Sequence, residues 1–134
     1  MAYIKKIHHI ALVVPELDEA MVFWRDQLGL NLTQVEDVPS QKSQVAFMPI
    51  GESEVEIVKP TSDDSGVAKF LEKRGPGIHH ICFEVDDIEE MLHSLKEKGV
   101  LLIDEQPKVL EGRKMAFIHP KSANGVLVEL YETI

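Results

Sequence analysis

The run Ile7-His8-His9-Ile10 returns 71 residues later as Ile78-His79-His80-Ile81, and Val55-Glu56-Ile57 is answered 73 residues later by Val128-Glu129-Leu130. Between them Ala46-Phe47-Met48 is echoed by Ala116-Phe117-Ile118. Three motifs in one order, at nearly one spacing, mark an internal tandem repeat. A repeat restricts the chain to two copies of one supersecondary unit. It also places a histidine and a glutamate at matching points of each copy, which is what a divalent-metal site between repeats requires.

Hydrophobic spacing gives the unit. Residues 5–14 alternate and then run apolar, which predicts a buried strand. Leu17, Ala20, Met21, Trp24 and Leu28 share one face of a helix placed at Pro15–Leu28, with Gly29 to stop it. Polar residues 31–43 precede strands at Gln44–Met48 and Val55–Val58, with a turn at Pro49–Glu52. The first copy, about 5–60, reads β-α-β-β-β. A linker over 61–77 holds a short helix around Val67–Leu71 and ends at the Gly75-Pro76-Gly77 break. The second copy, 78–134, repeats the order. His79–Val85 is a strand, and Asp86 caps a helix with Glu89 completing a capping box. That helix carries Ile88, Met91, Leu92 and Leu95 and stops at Gly99. Strands follow at Val100–Ile103, around Phe117, and at Val126–Tyr131. The expected class is α+β, a single domain of two βαβββ modules.

Composition removes several function classes. The formal net charge of −9 argues against nucleic acid and anionic membrane surfaces as partners. No apolar run approaches the roughly 18 residues of a membrane span. The start of the chain lacks the apolar run of a signal peptide, and one cysteine, Cys82, excludes an internal disulfide. The expected compartment is the cytoplasm.

Strand alternation decides which side chains can meet. His9 shares a face with Ile7 and Ala11, and His80 with Cys82. Glu56 points away from Val55 and Ile57, and Glu129 away from Val128 and Leu130. If the two sheets curve together, His9, Glu56, His80 and Glu129 converge. The second histidine of each pair is favoured because it precedes the shared isoleucine. Imidazole and carboxylate suit Zn²⁺, Co²⁺, Mn²⁺, Ni²⁺ or Fe²⁺. A lone strand histidine is more often a hydrogen-bonded core residue, and a lone strand glutamate a solvated one. Duplication of both on equivalent strands shifts the balance to ligands.

At these residues the chain resembles the vicinal oxygen chelate (glyoxalase/bleomycin resistance/dioxygenase) superfamily, and within it the methylmalonyl-CoA epimerase family. The resemblance rests on Ile7–Ala11, Gly77–Ile81, Ala46–Pro49, Val55–Pro60, and above all His119-Pro120-Lys121-Ser122 leading to Gly125–Leu130. It covers almost the whole chain. It implies a curved, barrel-like mixed sheet around a metal, with ligands at His9, Glu56, His80 and Glu129. It also implies one divalent ion per chain, Co²⁺ first and Zn²⁺, Mn²⁺, Ni²⁺ or Mg²⁺ as alternatives, and a homodimer acting on an acyl-CoA. The implied reaction interconverts (R)- and (S)-methylmalonyl-CoA by moving the C2 proton through a metal-stabilised enolate. Glu129 is one candidate base. A second glutamate of some family members falls here on Gln44, which cannot take a proton at neutral pH, so Glu56 is the candidate for the second base. Gln44, Lys121 and Ser122 are candidate substrate contacts.

Other residues have plainer readings. His119 orients its loop by hydrogen bonding; Lys69, Lys73 and Arg74 form a helix face; His93 is exposed; Cys82 is a small buried residue; Trp24 packs in the core or at a dimer interface. Rival functions are a glyoxalase I-type lyase, a metal-free binding protein of the same fold, and an extradiol dioxygenase. The His119–Ser122 segment argues against the first, four chelating residues against the second, and the extra carboxylate against the third.

Overall fold

Eight strands carry the chain, and their pairing follows the repeat. The computed structural model describes Met1–Ile134. By internal contacts the chain divides into two compact units, His9–His79 and Met1–His8 with His80–Ile134.

The first unit contains β1 (Ile4–Val13) from His9 onward, α1 (Leu17–Met21), β2 (Gln34–Val38), β3 (Ser43–Ile50), β4 (Ser53–Pro60) and α2 (Gly66–Arg74). Strand β1 runs parallel to β4, and β4–β3 and β3–β2 are antiparallel. Both faces are covered where the sequence is continuously apolar. On one side Leu12, Ala46, Met48 and Ile57 pack with Leu17 and Met21 of α1, with Trp24 against them. On the other, Ala11, Val45 and Val58 pack with Val67 of α2. Met48 and Ile57 are wholly buried, each worth about 1.5–3 kcal/mol. Beyond Met21 the helix widens into a π-helical segment, Val22–Gln27, where Leu28 N–H reaches the carbonyl of Phe23. Gly29, at φ 95°, ends it as expected.

The second unit contains β5 (Gly77–Val85) from His80 onward, α3 (Ile88–Glu97), β6 (Lys108–Leu110), β7 (Arg113–Ile118) and β8 (Leu127–Thr133). Here β5 is parallel to β8, and β8–β7 and β7–β6 are antiparallel. Val85, Ala116, Ile118 and Leu130 pack against Ile88 and Leu92 of α3. The first eight residues belong to this unit. Tyr3 and Asp86 exchange hydrogen bonds, Lys5 pairs with Glu84 at 3.3 Å, and the His8 ring stacks on Tyr131 at 4.3 Å.

The βαβββ order holds in both copies, with three local corrections. The strand missing from the first copy is β2, inside the stretch expected to be polar loop; it lies at an edge and almost all its side chains are exposed. The strand expected at Val100–Ile103 is not formed; only Leu102 bridges to Ile118, and the edge strand is Lys108–Leu110. The cap of α3 is Asp87, whose carboxylate accepts Glu90 N–H at 3.1 Å, while Asp86 is engaged by Tyr3. The linker helix is real and longer than expected, capped by Ser65 and closed by Gly75 at φ 77°. No helix is long and apolar enough to cross a membrane.

Ahead of α2, Asp64 accepts from Lys42 Nζ at 2.7 Å and from the Ser62 hydroxyl. These bonds, Lys42 first, pull its carboxyl from 3.8 to about 2. A depressed carboxyl stabilises the fold above its unfolded value, and that contribution disappears as pH falls through the folded one. An NMR titration should therefore place the Asp64 midpoint near 2, and Lys42→Ala should return it toward 3.8.

Candidate metal centre

The same register is built twice. In the β1/β4 ladder His9 stands opposite Glu54, and Glu56 lies two residues on. In the β5/β8 ladder His80 stands opposite Leu127, and Glu129 lies two residues on. A step of two keeps both side chains on one face, and the long glutamate side chain spans the offset. His9 Nδ1 lies 3.2 Å from Glu56 Oε2, and His80 Nε2 lies 3.1 Å from Glu129 Oε1. All four are sheltered: His9 and Glu129 are 4% and 6% exposed, and the side chains of Glu56 and His80 15% and 13%. Across the antiparallel ladders a phenylalanine stands opposite each glutamate, Phe47 to Glu56 and Phe117 to Glu129.

These pairs fit a divalent cation. With metal–ligand distances of ~2.1 Å, right-angle neighbours sit ~3.0 Å apart and tetrahedral neighbours ~3.4 Å apart. The observed 3.2 and 3.1 Å fall between. Imidazole and carboxylate are the donors such ions take, and carboxylates drawn out of water favour a cation beside them.

The copies differ in one connection. Strands β3 and β4 are joined by Gly51-Glu52, whereas His119–Val126 join β7 to β8. Phe47 and Phe117 are 70 residues apart, Glu56 and Glu129 73, so three residues are inserted there. The insertion is a built turn. His119 Nδ1 accepts Lys121 N–H at 3.0 Å, Ser122 Oγ accepts Leu101 N–H at 2.9 Å, and His119 N–H returns to Leu101 O at 3.0 Å. His119 orients the loop, as its position implied.

Residues 8–117 match the glyoxalase/bleomycin resistance protein/dioxygenase superfamily. The ethylmalonyl-CoA/methylmalonyl-CoA epimerase of Cereibacter sphaeroides is 38% identical, spanning 95% of this chain and 97% of its own. A solved structure of methylmalonyl-CoA epimerase with methylmalonyl-CoA and NH4+ superposes with a TM-score of 0.88 at 31% identity, covering 98% of this chain and 96% of that one. A Streptomyces coelicolor methylmalonyl-CoA epimerase variant, in complex with 2-nitronate-propionyl-CoA, gives 0.88 at 30% identity with the same coverage. The chain belongs to the methylmalonyl-CoA epimerase family of this superfamily.

Against that background the remaining candidates separate. Gln44 does not join the glutamates. Register sets it opposite Lys59, in the row of Ala46 and Met48 that faces α1, and its amide donates to Asp37 at 3.1 Å. The β3 residues on the Glu56 face are Ser43, Val45, Phe47 and Pro49. Gln44 therefore stands on the face opposite Glu56, because a shift of one along the strand exchanges faces, and the apolar Val45 shares the Glu56 face. Lys121 is exposed on the inserted turn. The Ser122 hydroxyl, expected to meet substrate, accepts the Leu101 amide.

The plainer readings hold. Trp24 packs on the first core, Cys82 is buried, and exposed His93 pairs with Glu97 at 2.8 Å. Arg74 lies over the Phe70 ring on the surface of α2. Repeated apolar residues such as Phe47 and Phe117 read from sequence as core, whereas the register sets them opposite the repeated glutamates.

Removing the Ser122 acceptor should loosen the turn. In Ser122→Ala the Leu101 amide should exchange with solvent at least ~10-fold faster, the equivalent of a hydrogen bond worth about 1.4 kcal/mol. Unchanged protection by NMR would show that the bond does not anchor the loop.

Proposed function

We propose that the protein is a divalent-metal-dependent epimerase that interconverts (R)- and (S)-methylmalonyl-CoA, with His9, Glu56, His80 and Glu129 as the metal ligands. The observation that carries this reading is the repeated register, which puts a histidine and a glutamate within 3.2 Å in each unit. The family supports the substrate class. The nitronate ligand of the Streptomyces relative adds a chemical argument: a nitronate is flat at carbon, as the enolate of this substrate is.

A divalent cation held by these residues, Co²⁺ first among Zn²⁺, Mn²⁺, Ni²⁺ and Mg²⁺, supplies positive charge to the thioester and carboxylate oxygens as negative charge develops there. The chain supplies the proton traffic. Inversion at C2 needs a base on one side and an acid on the other. A carboxylate oxygen of Glu129 takes the C2 proton, the C–H electron pair passes into the enolate, and protonated Glu56 returns a proton from the opposite side. The reverse direction exchanges the roles. Glu56 is assigned because the β3 residues on that face, Ser43, Val45, Phe47 and Pro49, include no carboxylate or imidazole. The Phe47 and Phe117 rows lower the local dielectric, which strengthens charge interactions. Lys121 is the exposed cation of the inserted turn, suited to the phosphates of CoA or the substrate carboxylate. The homodimer and cytoplasmic setting expected from the sequence complete the proposal.

The test is C2 deuterium exchange in heavy water with Co²⁺-reloaded protein. Wild type should exchange and invert, and metal-free protein should do neither. Glu56→Gln should keep the metal and exchange one epimer, with inversion down by ~10²–10⁴. Glu129→Gln should show the mirror preference. Wild-type inversion rates in Glu56→Gln would remove Glu56 from the mechanism. No exchange with Co²⁺, Mn²⁺, Ni²⁺ or Zn²⁺ would sink the epimerase reading.

A further inference from the structure

Phe117 does work that neither the ligand set nor the bases describe. It stands directly opposite Glu129 across the β7–β8 ladder, on the same face. Its ring meets His80 edge-on, with centroids 5.6 Å apart and planes at 88°. One side chain thus borders both a histidine and a glutamate of the second unit. Its own backbone is clamped. Phe117 N–H donates to Asp104 Oδ2 at 2.9 Å, and its carbonyl accepts from Ile103 and Asp104 N–H at 3.0 and 3.2 Å. The Asp104 side chain is 13% exposed, so water competes little for that clamp. These bonds fix the Phe117 main chain, and edge-on packing of its ring is an attractive orientation that favours one plane of the His80 imidazole.

We propose that Phe117 is a positioning residue for the metal-binding pair His80–Glu129, fixing the imidazole plane and sheltering the carboxylate so that both donors are set before the ion arrives. This rests on the reading of that pair as ligands. The first unit repeats the register. Phe47 holds the same place opposite Glu56, with its carbonyl taken by Thr33 N–H at 3.1 Å and Thr33 Oγ at 3.3 Å. Donors already oriented lose less freedom on binding, and groups that orient ligands affect affinity strongly.

Calorimetric titration of Co²⁺ into metal-free protein tests the idea, with the visible spectrum of bound Co²⁺ as a second readout. Phe117→Leu should bind Co²⁺ ~10–100-fold more weakly and shift the spectrum. Phe117→Tyr, which keeps the ring, should restore both. Ile118→Val, on the face toward α3, should lower Tm while leaving affinity unchanged. Wild-type affinity and spectrum in Phe117→Leu would overturn the role, as would a tyrosine variant as weak as the leucine one. Should Phe117→Leu not fold, Phe117→Met makes the same comparison. Wild-type protein that takes up no Co²⁺ overturns the metal reading itself, whereas uptake unaffected by the variants overturns the role of Phe117 alone.

Discussion

The register of two parallel ladders, β1 with β4 and β5 with β8, is the constraint from which the site follows. In each ladder the histidine leads its carboxylate by two positions, so both point to one face and their donor atoms lie within 3.2 Å. A slip of one residue would send either partner to the opposite face. What prevents the slip is apolar packing behind the site. Leu12 and Ile57 are committed to α1, and Val85 and Leu130 to α3. Moving the ladder would expose all of them, and each buried aliphatic side chain is worth about 1.5–3 kcal/mol. The helices thus set the site's geometry without touching it.

The two units share this frame and diverge in their connections. The glycine turn of the first copy is short and exposed, while the second carries three more residues there. The extra length is not slack: His119, Ser122 and Leu101 close it with three hydrogen bonds. The segment that holds the turn also holds Phe117, through Asp104. Leu101–Asp104 therefore links a polar turn to the ring beside His80. That is why residues expected to form a regular strand run instead as an irregular strap: their hydrogen bonds go to β7 and to the turn rather than to a full ladder.

Much of this was legible in the sequence because the repeat supplies internal comparison. Alternation set the faces of His9 and Glu56 against their own strand neighbours, and the second copy repeated the pattern at His80 and Glu129; the ladder registers put each pair on one face. What could not be read has physical causes. Strand β2 is exposed on an edge, so no buried row marks it. Asp86 and Asp87 are both good caps, and the choice turned on Tyr3, distant in sequence but placed against Asp86 by the second unit. Gln44 and Val45 differ by one step along a strand. Only the pairing of Phe47 with Glu56 settles which of them shares a face with the carboxylate.

Apolar residues around the carboxylates carry a thermodynamic consequence. Drawing a carboxylate out of water is costly unless a cation or hydrogen bonds replace the lost solvation. Glu129 is 6% exposed, in a row with Phe117 and Cys82 across its ladders. The cation proposed for the His80–Glu129 pair would restore the lost solvation and so stabilise the fold on binding. Binding to the native state alone adds stability as the logarithm of free ion over Kd, about 2.7 kcal/mol at a hundredfold excess. The same low-dielectric surroundings sharpen the charge developed on substrate oxygens. The burial that makes these carboxylates costly to desolvate would thus also strengthen their hold on the proposed cation, and Val45, on the Glu56 face of β3, adds to the apolar surroundings.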